Sequence, residues 1–175
     1  MSAPVFELET VQRQIEEAAI VVVETDQLVA YARNARTHSD YQIHLIAGSI
    51  KKWGFTNPVL VDDNGGIIAG HGRVLAAYKI GLTRVPCRVL GYLTEAQKQA
   101  YILADNKLAE KSGWDLDMLR QEMAEISDSG YDPIELGFEQ RDLDPLADAK
   151  GNDEDSAGED LPPPDDLCAL CGKPR

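Results

Sequence analysis

The sequence feature that most constrains the fold is a glycine turn between an apolar run and a helical segment. The run Ile67-Ile68-Ala69 is followed by Gly70-His71-Gly72-Arg73. The two glycines can adopt backbone angles that other residues avoid, and they let a ligand approach the main chain closely. A helix that begins here presents unpaired N–H groups and the positive end of its dipole to an anion. The pattern predicts a strand, a tight turn and a helix that binds phosphate, and an ordinary turn with a surface arginine is the alternative.

Two side chains of this turn could act on a ligand. Arg73 carries a planar fork of donors that suits phosphate oxygens. His71 could donate a proton, bind phosphate or act as a general base, since imidazole titrates near neutral pH. It could equally pack the turn or make one structural hydrogen bond, so both interpretations of His71 stay open.

Composition and charge limit the classes of function. The 175 residues carry a formal charge of -13, and 43% of them are hydrophobic, which is enough for a core. A chain this acidic does not coat DNA by electrostatics, so any DNA contact is expected to be local or helped by a partner. The sequence has neither an apolar run of roughly 18 to 20 residues nor a signal pattern, so we expect no membrane association and a cytoplasmic location.

Periodicity and turn residues divide the chain into elements. Apolar spacing and capping residues predict helices near residues 40–53, 73–80 and 94–108, and another that begins at Asp115. β-branched runs predict strands near 19–23, 58–62, 66–69 and 85–90, with a hairpin at Asn64-Gly65. We expect an N-terminal arm at 1–18, a main domain at 19–110, a helical extension at 111–140 and a disordered acidic tail at 141–175.

The cysteines fall into two groups. Cys87 lies in an apolar strand and is expected to be a reduced core residue. Cys168 and Cys171 have the spacing of half a zinc site, but Zn²⁺ needs four ligands. Two free thiols are the alternative, and a second pair would have to come from elsewhere, such as the other chain of a homodimer.

Five motifs in order give the main domain a resemblance to a known family. The chain resembles the ParB/sulfiredoxin superfamily, in particular the ParB-like "nuclease" domains of phages and of DNA-methylase-associated proteins. The resemblance spans roughly residues 19–138. Its motifs are Asn34-Ala35-Arg36-Thr37-His38, Lys52-Trp53-Gly54-Phe55, Asn64-Gly65, the segment from Ile68 to Arg73, and the segment from Leu103 to Glu110.

The resemblance implies a fold and a site. The implied fold is α+β, with a small mixed sheet and flanking helices, followed by C-terminal helices. The implied ligand is a nucleoside triphosphate, CTP or ATP, with Mg²⁺. By similarity, the phosphates would contact Arg36, Gly70, His71, Gly72, Arg73 and Asn106, and the metal would be held by Asp105 and Asn106. Asp105 replaces the usual glutamate of the family, which shortens the reach to the metal.

Departures from the family narrow the expected function. Sulfiredoxins carry a reactive cysteine where this chain has His71, which argues against sulfinic acid reduction. No basic recognition helix follows the main domain, which argues against plasmid partitioning. We therefore expect a nucleotide-binding domain in phage or mobile-element DNA metabolism. It would act as a slow NTPase switch beside a DNA methyltransferase or a phage DNA-processing protein.

Two other classes of function remain as alternatives. The first is an enzyme, either a nuclease or a small-molecule phosphotransferase of the serine-kinase type, for which Glu24 and Asp26 are candidate catalytic bases besides His71. The second is a protein-interaction module that has lost its pocket.

Overall fold

The computed structural model describes residues 7–140 together with 142 and 143. These residues form a mixed sheet of four strands with flanking helices, as the resemblance implied. The expected acidic tail, apart from residues 142 and 143, and the Cys168 and Cys171 pair lie outside the described residues. No helix within the described part is long and apolar enough to cross a bilayer. In chain order the elements are α1 Leu8–Glu16, β1 Val21–Glu24, α2 Asp40–Trp53, β2 Val59–Val61, β3 Ile67–Ala69, α3 His71–Lys79, β4 Arg84–Val89, α4 Glu95–Ala109 and α5 Leu116–Asp128.

The sheet has the strand order β1-β4-β2-β3. β4 pairs antiparallel with β1 and parallel with β2, and β2 pairs antiparallel with β3. The β2–β3 hairpin turns at Asn64-Gly65, as predicted, and Gly65 has a φ of 77°. The carboxylate of Asp62 fastens this turn by accepting the N–H groups of Asn64 and Gly66. β3, the second strand of this hairpin, therefore leads directly into the turn at Gly70.

Pro86 is the third residue of β4, which is an inner strand of the sheet. Its position is tolerated because β2 pairing begins only at Val59, opposite Cys87. Leu90 donates its N–H to Val61, so the even-numbered residues of β4 direct their backbone groups toward β2. The N–H that Pro86 lacks would point past the start of β2, so no sheet hydrogen bond is lost.

The core lies on both faces of the sheet. On one face, Val59, Val61, Ile67, Val85 and Cys87 contact Val74 and Ala77 of α3. Cys87 is buried and free, as predicted. On the other face, Ile68 and Leu90 contact Ile102 of α4. β3 packs against α3 on one face and against α4 on the other. The glycine turn that follows β3 therefore lies beside both helices.

The helix boundaries follow the predicted caps, with one informative difference. Ser39 accepts the N–H of Gln42, Thr94 and Gln97 form a capping box, and Asp115 caps α5. The third helix begins at His71, two residues earlier than predicted. Gly70 is itself the N-cap, with a φ of 99° in the left-handed region.

Candidate functional site

Gly70 places the beginning of α3 at the end of β3. No side chain caps this helix, so its first N–H groups have no cap partner. A Cβ atom on Gly70 would lie 2.9 Å from Nη2 and 3.2 Å from Nε of Arg73, because the guanidinium folds back over the turn. The glycine is therefore required both by its left-handed angle and by the position of Arg73.

Arg73 carries a positive charge that is only partly compensated. Its Nη2 donates to the backbone carbonyl of Pro58 at 3.2 Å. Its Nε is buried and has no hydrogen-bond partner among the described residues. Burial lowers the pKa of Arg73, while the nearby Asp105 carboxylate raises it. An arginine stays protonated in proteins, so Arg73 keeps its charge although burial removes part of its hydration.

Arg36 reaches the same region from the loop before α2. Its Nη1 donates to the backbone carbonyl of Asn106 at 3.3 Å and lies 3.8 Å from the carboxylate of Glu110. Asn106 belongs to the C-terminal half of α4, and Glu110 follows directly after the helix. Arg36 therefore links the loop to α4 and adds a second guanidinium to the site.

Asp105 and Asn106 supply oxygen atoms from α4. Asn106 donates its Nδ2 to the carbonyl of Ile102 at 2.8 Å, which leaves its Oδ1 as the group that can accept a ligand. Asp105 is exposed, and its Oδ1 accepts from the hydroxyl of Tyr101 at 3.4 Å. Among the described residues no group of three or more His, Cys, Asp or Glu side chains forms a metal cluster. The pair supplies one carboxylate and one amide, a donor set that Mg²⁺ accepts when phosphate and water complete its shell.

His71 links the loop before α2 to the start of α3 by a hydrogen bond. Its Nε2 accepts the backbone N–H of Tyr31 at 3.2 Å, so the proton of the neutral ring lies on Nδ1. Burial lowers the pKa of His71, and the neighbouring His38 lowers it further. The geometry therefore gives His71 a positioning contact in its neutral form.

Gly72 brings α3 close to α2. A Cβ atom there would lie 3.0 Å from Cδ1 of Ile46 and 3.1 Å from Cε1 of His38. The ring of His38 is held in turn by Gln42, whose Oε1 lies 2.9 Å from Nδ1. The second glycine of the turn thus serves helix packing beside the site.

These residues enclose a polar cleft with a volume of about 160 Å³. An apolar cavity of about 310 Å³ adjoins the cleft. Four residues line both spaces, namely Asn34, Arg36, His38 and His71. All the phosphate and metal residues expected from the resemblance line the cleft, which is bounded by Asn34, Arg36, His38, Ile46, Ile68, Ala69, Gly70, His71, Gly72, Arg73, Asp105 and Asn106.

Glu24 and Asp26 lie away from this cleft. They flank Thr25, whose carbonyl accepts the hydroxyl of Tyr78 near the C-terminal end of α3. Tyr78 is eight residues from Gly70, which corresponds to about 12 Å along a helix. Neither acid lines the cleft or the adjoining cavity. The structure therefore does not bring these two candidate bases to the phosphate turn.

Three contacts of this site are not evident from the motifs of the sequence. These are the Tyr31 amide on His71, the Pro58 carbonyl on Arg73, and Asn34, which accepts the Arg36 amide. The first two depend on main-chain groups, which every residue carries. Only Asn34 left a signal, because asparagine often bonds to a backbone amide two residues ahead in loops.

The comparisons with known proteins agree with this fold. A family model for the ParB N-terminal domain matches residues 9–106, more than half of the chain. The ParB-like nuclease domain-containing protein YnaK of Escherichia coli K12 is 51% identical over 84 residues, which are 48% of this chain and 97% of YnaK. The chain therefore belongs to the ParB N-terminal domain family.

Two solved structures match part of the chain. One is the C-terminally truncated chromosome-partitioning protein ParB of Caulobacter crescentus complexed with CTP-γ-S, at a TM-score of 0.52 and 20% identity. The match covers 63% of this chain and 65% of that one, so the chain spans less than two thirds of the ParB structure. The other is sulfiredoxin of Arabidopsis thaliana, at a TM-score of 0.41 and 20% identity, over 48% of this chain and 97% of that one.

Proposed function

We propose that this domain binds a nucleoside triphosphate, with the phosphates at the start of α3. The observation that carries the proposal is the partly compensated guanidinium of Arg73, placed over a helix N-terminus that no side chain caps. An anion would supply the missing partner of Nε and would accept the first N–H groups of the helix. The solved ParB complex with CTP-γ-S supports a nucleotide as the ligand class.

Two adjoining spaces of different polarity support a nucleotide over a free phosphate. The polar cleft is lined by Arg36, Arg73 and Asn106, which suit a polyphosphate. The neighbouring cavity is walled by Leu28, Ile67, Val74 and other apolar side chains, which suit a base and ribose. Because Asn34, Arg36, His38 and His71 line both spaces, one ligand could occupy them together.

Mg²⁺ would be held by the carboxylate of Asp105 and by Oδ1 of Asn106. When bound, the ion would neutralise charge on the phosphate oxygens. Burial lowers the pKa of Arg73 and the Asp105 carboxylate offsets part of that effect, so the carboxylate and the guanidinium interact before any ligand binds. Asp105 then has two roles, as a metal ligand and as part of the charge balance of the cleft.

We infer a role in DNA metabolism from the family. The domain would act in a phage or mobile element as a slow NTPase switch. Its DNA contact would be local or made through a partner such as a DNA methyltransferase, since the formal charge is -13.

Titration calorimetry tests the nucleotide proposal. CTP, ATP, GTP and ADP are titrated into the protein with Mg²⁺, and at least one triphosphate is expected to bind below millimolar concentration. Arg73→Ala should abolish this heat, whereas Lys79→Ala, which removes an exposed cation at the other end of α3, should not. The proposal fails if no triphosphate binds, or if both variants bind like the wild type. Phosphate release from the bound nucleotide then tests the switch.

A nuclease is the second candidate, because YnaK is named as a ParB-like nuclease domain-containing protein. Incubation with supercoiled plasmid and Mg²⁺ tests it. Nicking that Asp105→Asn abolishes would support a nuclease, and intact plasmid at high protein concentration would refute it. The phosphotransferase alternative receives no support from the positions of Glu24 and Asp26.

A further inference from the structure

The exposed edge of the sheet carries an apolar surface that the nucleotide site does not use. β1 is an outer strand, and Val22 and the neighbouring Ile20 are 65% and 59% exposed. The opposite outer strand, β3, is covered by Val29. The N–H of Val29 donates to the carbonyl of Gly65, and the carbonyl of Val29 accepts the N–H of Ile67. Along residues 7–140, no segment pairs with the outer side of β1. We call this outer side the β1 edge.

The register shows which backbone groups lie on the β1 edge. Thr25 donates its N–H to the carbonyl of Thr83, so the pair Thr25–Thr83 is hydrogen-bonded. In an antiparallel ladder such pairs alternate with non-bonded ones. Val22, three residues before Thr25, is opposite Pro86 in the same register. The pair Val22–Pro86 is therefore a non-bonded one. The missing N–H of Pro86 agrees with this assignment. The N–H and carbonyl groups of Ile20, Val22 and Glu24 consequently point away from β4.

Helix α1 extends this apolar surface. Leu8, Val11 and Ile15 lie on one side of the helix by their spacing, and α1 has no buried residue. Arg88 donates to the carbonyl of Gln14, which ties α1 to β4. Since Cys87 belongs to the α3-side core, strand alternation places Arg88 on the opposite face. Val22 shares that face, because Val23 packs against the α3-side core.

We propose that the β1 edge is an interface between two copies of this chain, which pair β1 with β1 antiparallel about a two-fold axis at Val22. This register is self-complementary, because the outward groups of Val22 would meet those of the other Val22. Ile20 of each copy would then face Glu24 of the other. The two Glu24 carboxylates are thereby kept apart, so no like charges face each other across the pair.

Helix α1 supplies area that the paired strands alone lack. The five paired residues of each copy, 20–24, bury less than the roughly 800 Å² per partner that a stable interface needs. A two-fold axis perpendicular to the sheet keeps both α1 helices on the same face. The exposed Leu8, Val11 and Ile15 of each copy can then contribute the remaining apolar area. The result is a continuous sheet of eight strands, with a nucleotide cleft near each end.

Sedimentation of the full chain from about 1 to 100 µM tests the proposal, together with a proline variant. The wild type should sediment with twice the 19.2 kDa chain mass. Val22→Pro removes an N–H that makes no bond to β4, so the variant should fold and sediment as a monomer. A wild type that is monomeric throughout this range, or a folded Val22→Pro dimer, overturns the proposal.

Two further measurements keep the test decisive if Val22→Pro does not fold. Val22→Lys keeps the backbone and should give a monomer, whereas Leu108→Lys, a matched change at an exposed leucine of α4, should stay dimeric. In the wild type the Val22 amide should be protected from hydrogen exchange, and Val22→Lys should lose that protection. Rapid exchange of this amide in a wild-type dimer would place the interface elsewhere and would overturn the proposal.

Discussion

Replacing Arg73 by methionine should separate ligand binding from folding. Methionine keeps an unbranched side chain but removes the charge and all donors. Hydrogen bonds from a charged group contribute about 1.5–3 kcal/mol each. If the ligand accepts one such bond from Arg73, binding should weaken by about 1.5–3 kcal/mol. That loss corresponds to roughly 10- to 150-fold in Kd.

The same variant should not destabilise the protein without ligand. In the wild type the guanidinium is partly buried, its only described hydrogen bond is to Pro58, and Nε is unpaired. Removing a buried charge that lacks full compensation is neutral or stabilising, by up to about 2 kcal/mol. Since 1 kcal/mol shifts Tm by roughly 3–5 °C in a domain of this size, we expect an unchanged Tm or a rise of several degrees.

Thermal unfolding with and without nucleotide and Mg²⁺ measures both effects. A triphosphate at about 100 times its Kd should stabilise the wild type by about 2.7 kcal/mol, and this gain should largely disappear in Arg73→Met. Lys79→Met is the control for charge and should keep the gain. A ligand-free Tm that drops by ten degrees in Arg73→Met would refute the reasoning, because Arg73 would then be a structural residue. An unchanged ligand-induced shift would refute it equally.

Three further predictions follow from the same geometry. Gly70→Ala should destabilise the fold by about 1–2 kcal/mol in urea unfolding, because the φ of Gly70 is 99° and the added methyl meets Arg73. Gly48→Ala has open space in α2 and should stabilise the fold by up to about 1 kcal/mol. Equal effects of the two substitutions would contradict this prediction. Burial and His38 hold the pKa of His71 below its ordinary 6.5, so the unfolded state binds more protons as pH falls below that value. Wild-type stability should therefore fall from pH 6.5 downward more steeply than that of His71→Gln, and parallel curves would exclude the shift. In Asp105→Asn, the gain in triphosphate affinity that Mg²⁺ provides should be about tenfold smaller than in the wild type. Asp128→Asn, the same change at an exposed position of α5, should keep the full gain. Equal Mg²⁺ dependence in the two variants would argue against a metal ligand at Asp105.

Local signals in the sequence were sufficient for most of the fold. The capping residues Ser39, Thr94 and Asp115 begin their helices as expected, because each cap is a bond between residues close in sequence. The hairpin at Asn64-Gly65 is local in the same sense. The predicted start of α3 lies two residues too late, because the sequence pattern does not reveal that Gly70 adopts the left-handed cap conformation.

Contacts between distant segments could not be predicted from the sequence pattern. The position of Pro86 depends on where β2 begins, which is fixed by pairing between strands more than twenty residues apart. The chemistry of the site could be anticipated by residue type for Arg36, Arg73 and Asn106. The main-chain partners of His71 and Arg73 could not, since a backbone amide or carbonyl has no sequence signature. The distance of Glu24 and Asp26 from the turn likewise depends on how α3 lies across the sheet.

Amide chemical shifts recorded during a nucleotide titration test the central claim most directly. A triphosphate with Mg²⁺ is expected to shift the backbone N–H resonances of His71, Gly72 and Arg73 most strongly, with a saturable curve below millimolar concentration. The Arg73 Nε resonance should move with them. Shifts confined to other elements, or none at saturating nucleotide, would show that the turn reverses the chain without binding an anion.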